Sequence, residues 1–183
     1  LDNGVGTALG NLGVLNGFLG NDLVRIPLPK VLRDVQSYLA PIGMDGLLVE
    51  LATQLNRGAE MAAPVAKNIF LDAVRGLSIA DAINIVRGAD TAATDYLRDR
   101  TSNSLAQLFE PIMGDALQNT GALALVDELA GQLQSVPFGP NLGADARRDL
   151  IEHGVDYGLR GVFYFIGEEE KAIRANPDKS TSE

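Results

Sequence analysis

MDGLLVELATQLNRGAEMAA, residues 44–63, is the stretch whose reading decides the fold. Leu47, Leu48, Leu51, Leu55, Ala59 and Ala62 recur at three- and four-residue spacings, which puts them on one face of a helix. A strand would need strict alternation, and this stretch does not alternate. A helix with so wide an aliphatic stripe has to bury it against other elements.

The same spacing continues downstream. Pro64 opens a helix with Ile69, Phe70, Ala73 and Val74 inside, and Gly76 is placed to end it in the left-handed conformation. Ser78-Ile79-Ala80-Asp81 has the form of a capping box, with Asp for the usual Glu, and starts a short helix that Gly88 stops. Asp90 is placed to cap a segment through Tyr96 and Leu97. A separate helix is expected from about Ser104 to Gln118, kinked at Pro111. Leu123, Val126, Leu129, Ala130 and Leu133 mark another, and Pro137-Phe138-Gly139-Pro140 a break. A short helix near Ala144–Glu152 precedes a long one from about Gly154 to Ala175. Val155, Leu159, Val162, Ile166 and Ile173 keep helical spacing there, with Phe163 and Phe165 on other sides. A helix apolar almost all round is expected to be central and buried.

Upstream, Arg25-Ile26-Pro27-Leu28-Pro29 is extended before each proline, and Pro29 suits the first turn of a helix whose apolar stripe is Leu28, Leu32, Val35 and Leu39. Pro41 and Gly43 end it. Gly6, Gly10, Gly13, Gly17 and Gly20 alternate at spacings of four and three, one smooth face if the segment is helical. Ala8, Leu12, Leu15 and Leu19 would form the ridge beside it. The expectation is an all-α, compact bundle of about nine helices. Residues 1–17 form a glycine-rich leader, either frayed or packed as a helix by its glycine face. Residues 18–177 form a single domain, and 178–183 a disordered tail.

Composition narrows the function classes. With 183 residues the chain fits one domain, and 46% hydrophobic with 5% aromatic residues means a core of Leu, Val, Ile and Ala. There is no Cys and one His, so the usual hydrolytic, redox and transition-metal sites lack their residues. The net charge of −9 argues against nucleic-acid partners and against electrostatic adsorption to anionic lipid. Residues 3–21 are uncharged, but their asparagines and glycines argue against a membrane span. His153 reads as structural. Glu168, Glu169 and Glu170 with Lys171 and Arg174 read as surface helical ion pairs. Arg25 reads as an anchor for its extended loop.

Four segments together carry a resemblance. They are Phe18-Leu19-Gly20-Asn21-Asp22-Leu23-Val24-Arg25-Ile26-Pro27-Leu28-Pro29, Leu55-Asn56-Arg57-x-Ala59-Glu60, Ala92-Ala93-Thr94-x-Tyr96-x-Arg98-x-x-Thr101, and Glu168-Glu169-Glu170-Lys171-x-Ile173-Arg174-x-Asn176-Pro177. From Phe18 to Pro177 the chain resembles an uncharacterised bacterial family, a domain of unknown function found in exported proteins, some of them lipoproteins. The resemblance implies an all-helical exported protein of Gram-negative type, with no established activity or catalytic residues. The implied location is the periplasm, with an outer-membrane tether by a lipid anchor upstream of Leu1 as an option.

The expected function is non-enzymatic. A helical bundle with aliphatic walls can open a cavity for a fatty acid or a polycyclic lipid such as a sterol or hopanoid. Leu51, Leu55, Phe70, Phe109, Met113, Phe163 and Ile166 are the candidate apolar wall, and Asn56, Arg57 and Tyr96 the candidate polar end. No catalytic residue, metal ligand or cofactor is assigned. The alternative is an envelope interaction module with a solid core, in contact with other envelope proteins.

Overall fold

The computed structural model describes residues 2–43, 45–135, 137 and 141–177. Among these, all regular structure is helical. In chain order the α-helices are α1 (Asp2–Leu12), α2 (Lys30–Asp34), α3 (Gln36–Leu39), α4 (Asp45–Ala62), α5 (Lys67–Arg75), α6 (Ile79–Arg87), α7 (Ala92–Asn119), α8 (Ala122–Gln134) and α9 (Ala146–Ala175). Short 3-10 turns at Ala40–Ile42 and Ala63–Ala66 join α3 to α4 and α4 to α5. Seven of the helices have nine residues or more, while α2 and α3 are single turns of five and four.

The long helices α7 and α9 form the antiparallel spine, since the start of α7 meets the end of α9 and Met113 meets Gly154. α4 packs across both, α1 and α5 flank them, and α8 closes the side next to α4. The aliphatic stripe of α4 goes inward as read, with Leu48, Leu51, Leu55, Ala59 and Ala62 buried. Each such leucine contributes about 1.5–3 kcal/mol of burial. α9 buries residues from Leu150 to Glu170 and is the central helix expected.

Two pairs of expected helices are fused. The gap between Leu97 and Ser104 is helical because its hydroxyls bond back within the helix: Thr101 Oγ1 donates to Leu97 O at 2.6 Å and Ser102 Oγ to Arg98 O at 2.6 Å. The helix also continues through Pro111, which lies on its exposed side. The expected break at His153-Gly154 is absent because α9 needs a glycine there. A Cβ on Gly154 would meet Leu55 and Met113 at 3.2 Å.

The glycine face expected at the start is corrected. α1 ends at Leu12, so Gly13, Gly17 and Gly20 lie in the turns that follow. A Cβ on Gly6 or Gly10 would meet nothing within 4 Å. The helix packs instead by Val5, Ala8, Leu9 and Leu12, while Leu15 of the expected ridge is 74% exposed. The glycine face that matters is on α9, where Gly154, Gly158 and Gly161 are all buried. At Gly161 a Cβ would meet the Phe18 ring at 2.8 Å and Val24 at 3.3 Å, so this glycine is the seat of Phe18.

Two caps also differ from expectation. Gly76 has φ −81° and is not left-handed, because the turn tightens straight into the capping box of Ser78 and Asp81, which forms as read. Asp90 does not cap α7; its first amides donate to Glu170, from the far end of the chain. Gly139 and its neighbours Phe138 and Pro140 in the expected break, and the tail from 178, lie outside the described residues.

Candidate functional site

The polar residues singled out in the sequence are brought together in two groups. Asn56 is fully buried on α4 and binds the extended segment as a strand would, accepting from Ile26 N at 2.8 Å and donating to Ile26 O at 2.9 Å. One turn on, Glu60 accepts from Phe18 N at 3.2 Å and Leu19 N at 3.0 Å. Arg57 pairs with Glu60 at 2.7 Å and reaches Asn16 at 3.0 Å. Arg25 donates to Leu19 O at 2.8 Å and pairs with Asp22 at 3.0 Å. His153 donates from Nε2 to Pro27 O at 2.7 Å. Burial pushes the His153 imidazole below its ordinary value, against the raising effect of Pro27. Asn56, Arg57 and Glu60 thus fasten residues 16–27 to α4.

Glu170 forms the second group. It accepts from Ala93 N at 2.9 Å, Thr94 N at 2.8 Å and the Thr94 hydroxyl at 2.8 Å, which satisfies the open amides of α7. Arg174 donates to it at 3.0 and 2.8 Å and to Ile85 O, at the end of α6, at 2.7 Å. Burial alone would raise the Glu170 carboxyl; these donors outweigh it and hold the group below its ordinary range. Tyr96 stands apart from Asn56 and Arg57: its hydroxyl donates to Asp81 at 3.3 Å, with Arg100 over its ring at 5.4 Å. Among the described residues every buried side-chain nitrogen and oxygen has a partner.

The candidate wall residues are all buried in the core. Met113 lies between Gly58 and Gly154, and Phe70 meets Phe163 edge-on at 5.5 Å. Leu51, Leu55, Phe70, Phe109 and Met113 therefore lie within the core and border none of the surface recesses at α1, α6, α7 and α9. Ile166 borders a recess of about 230 Å³ between α1, α6 and α9. Phe163 alone of the seven borders the largest one.

That cleft, about 770 Å³, runs between α7 and α9. α7 supplies Arg98, Ser102, Asn103, Ala106, Gln107 and Glu110; α9 supplies Glu152, Val155, Asp156, Leu159, Arg160, Phe163 and Tyr164. Short side chains at 102, 103 and 106 keep the helices from filling the space. Ala106, Val155, Leu159 and Phe163 make an apolar floor. Arg98 lies over the Phe163 ring at 5.3 Å and pairs with Asp95 at 3.0 Å. Arg160 lies over Tyr157 at 4.9 Å and pairs with Asp156 at 2.7 Å. The antiparallel helices set both arginines toward one end and Glu110 with Glu152 toward the other. Arg160 and Tyr164 also line a separate groove of about 280 Å³ with Leu23, Arg25 and Tyr157, so these two side chains stand between the cleft and the Val14–Leu23 loop.

This arrangement is an open amphipathic trough on a helical spine: greasy below, with two arginines, each ion-paired to an aspartate, toward one end. No group of three His, Cys, Asp or Glu is placed to hold a metal among the described residues. None of their helices is long and apolar enough to cross a membrane. In fold class the molecule is an all-helical bundle with two buried carboxylate hubs and a surface cleft. The chain belongs to the family described as "Protein of unknown function (DUF4197)", which it matches over residues 1–183. No curated protein and no solved structure matches it.

Proposed function

We propose that this is a non-enzymatic binding protein for an apolar ligand with a polar or acidic end, of the fatty-acid or polycyclic-lipid class, held in the α7–α9 cleft. The observation that carries the reading is that cleft: about 770 Å³, floored by Ala106, Val155, Leu159 and Phe163, with Arg98 and Arg160 at one end. Ligand pockets are typically about 300–1,000 Å³ with few polar groups. The site therefore moves from the core, where Leu51, Leu55 and Met113 pack on one another, to the surface beside Phe163. Asn56 and Arg57 are spent on the 16–27 segment and hold no ligand end in this reading. A periplasmic or outer-membrane location rests on the family resemblance alone, and fractionation of expressing cells tests it.

Lipid extraction from natively purified protein, followed by mass spectrometry and by titration with added fatty acid, tests the function. Saturable binding is expected, and Gln107→Trp, which fills the trough, weakens it by roughly tenfold or more, about 1.4 kcal/mol. Absence of saturable binding, or binding indifferent to that substitution, rejects the reading.

The interaction-module reading has one observation in its favour. Ile79, Ala82, Ile83 and Val86 stand at i, i+3, i+4 and i+7 on α6 and are all exposed, a helix-packing stripe left uncovered. Ile83→Lys would abolish a partner contact there and leave ligand binding intact.

A further inference from the structure

The loop from Val14 to Leu23 is fixed from beneath yet turns its aliphatic side chains outward. Glu60 holds the amides of Phe18 and Leu19, Arg57 holds Asn16, and Arg25 holds the Leu19 carbonyl. Asn16 sits at φ 68°, in the left-handed region that Asn enters more readily than most side-chain-bearing residues. Phe18 is seated on Gly161. Against this anchoring, Val14, Leu15 and Leu23 are 55%, 74% and 71% exposed. Exposed aliphatics on a preorganised loop gain nothing from folding, so their use lies in what they meet.

The surroundings say what that is. Beside Leu23 stand Tyr157, Tyr164, Arg25 and Arg160, lining a groove whose Arg160 and Tyr164 also border the cleft. Aliphatic tips, tyrosines and arginines with long apolar stems are the residues that settle at a lipid–water interface. Charge agrees. Residues 14–25 hold only Asp22 and Arg25, and 156–165 only Asp156 and Arg160, so this edge sums to zero and the whole −9 lies elsewhere. The edge therefore carries none of the net charge by which an acidic chain is repelled from a bilayer. A second copy is the poorer occupant: three side chains fall well short of the roughly 1,200 Å² that a stable interface buries.

We propose that the Val14–Leu23 loop, backed by Tyr157 and Tyr164, is a membrane-docking edge that inserts Val14, Leu15 and Leu23 into the interfacial layer of a phospholipid bilayer. Insertion is apolar and does not depend on anionic headgroups. The groove past Arg160 and Tyr164 then leads from the bilayer surface to the α7–α9 cleft; this last link rests on the ligand-binding reading, while the docking does not.

Flotation of the full chain with phosphatidylcholine vesicles, with and without phosphatidylglycerol, tests it. Wild type is expected to float with both. Leu15→Ser/Leu23→Ser is expected to lose about a hundredfold in partitioning, about tenfold per leucine. Leu108→Ser, at an exposed leucine of α7 away from the edge, is expected to leave flotation unchanged. The chain has no Trp, so Leu15→Trp provides a single indole, whose emission should shift to the blue on vesicle addition. No flotation of wild type, flotation only with phosphatidylglycerol, a double variant that floats like wild type, or an unmoved indole spectrum each overturns the proposal. So does a change of oligomeric state in the double variant without vesicle binding by wild type. Fatty-acid titration of the same double variant separates the two readings: docking lost with ligand binding kept supports the edge and leaves the cleft standing, whereas wild type that docks but takes no ligand removes the cleft alone.

Discussion

Glu60 and Glu170 are built alike and hold different things. Each is a buried carboxylate that accepts from two consecutive backbone amides, Phe18 and Leu19 in one case, Ala93 and Thr94 in the other. Each pairs with an arginine on its own helix, Arg57 or Arg174, and that arginine reaches on to a further segment. Glu170 ties helix to helix, joining the start of α7, the end of α6 and α9. Glu60 ties a non-helical loop to α4. One device therefore serves both the framework and the surface that the framework displays. The difference lies in what its loss should cost.

The largest effect is expected at Glu170. Glu170→Ala leaves Arg174 and two helix-terminal amides without their acceptor and should cost about 3–5 kcal/mol in denaturant melts. A loss below about 1 kcal/mol would mean that the amides find water instead. Acid should act on the same group. Its folded carboxyl lies below the ordinary value of 4.5, so its contribution is complete above that pH and disappears as pH falls through the lowered value. Glu170→Gln should flatten that part of the stability–pH curve.

Glu60→Ala should cost less, about 2–3 kcal/mol, because Glu60 serves two loop amides, whereas Glu170 serves the first amides of α7 and the Thr94 hydroxyl as well. Its distinctive result should be local: faster amide exchange at Phe18 and Leu19, and weaker vesicle docking, with the α7–α9 spine unchanged. Global unfolding at the same denaturant concentration as Glu170→Ala would erase the contrast between the two hubs.

The third test concerns what Glu60 positions. Gly161→Ala should cost about 1–3 kcal/mol, because the Phe18 ring and Val24 occupy the space of the new methyl group. The smallest effect has the opposite sign. Gly6→Ala, in open space on α1, should stabilise by about 0.5–1 kcal/mol through helix propensity. If the two glycines respond alike, the assignment of the packing face to α9 fails.

These contrasts also show what a sequence displays. The stripes of α4, α8 and α9 were legible because burial repeats every three or four residues, and Leu51, Leu55, Leu129 and Ile166 are buried accordingly. The hubs were half legible. Arg57 with Glu60 and Glu170 with Arg174 are local pairs at helical spacing, but the amides they serve lie 41 to 77 residues away and leave no period. For that reason Asp90 looked like the cap of α7 and Glu170 like a surface charge. Glycine misled in the other direction. Gly6 and Gly10 belonged to a conspicuous pattern but have no partner, whereas Gly154, Gly158 and Gly161, at spacings of four and three inside an aliphatic helix, carried the same signal where it counted. The cleft had no local signature, because it arises from short side chains on α7 facing α9, which lies beyond α8 in the chain. Val155, Leu159 and Phe163 of α9 border it, and of these only Phe163 was among the candidate wall residues.

The central claim is that an apolar ligand lies between α7 and α9 and not in the core. Photo-crosslinking with a diazirine-bearing fatty acid, mapped by peptide mass spectrometry, tests it most directly. Adducts on residues 102–107 and 155–164, suppressed by Gln107→Trp, are the expected result. Adducts on Leu51, Leu55, Phe70 or Met113, or no competable adduct anywhere, would contradict it.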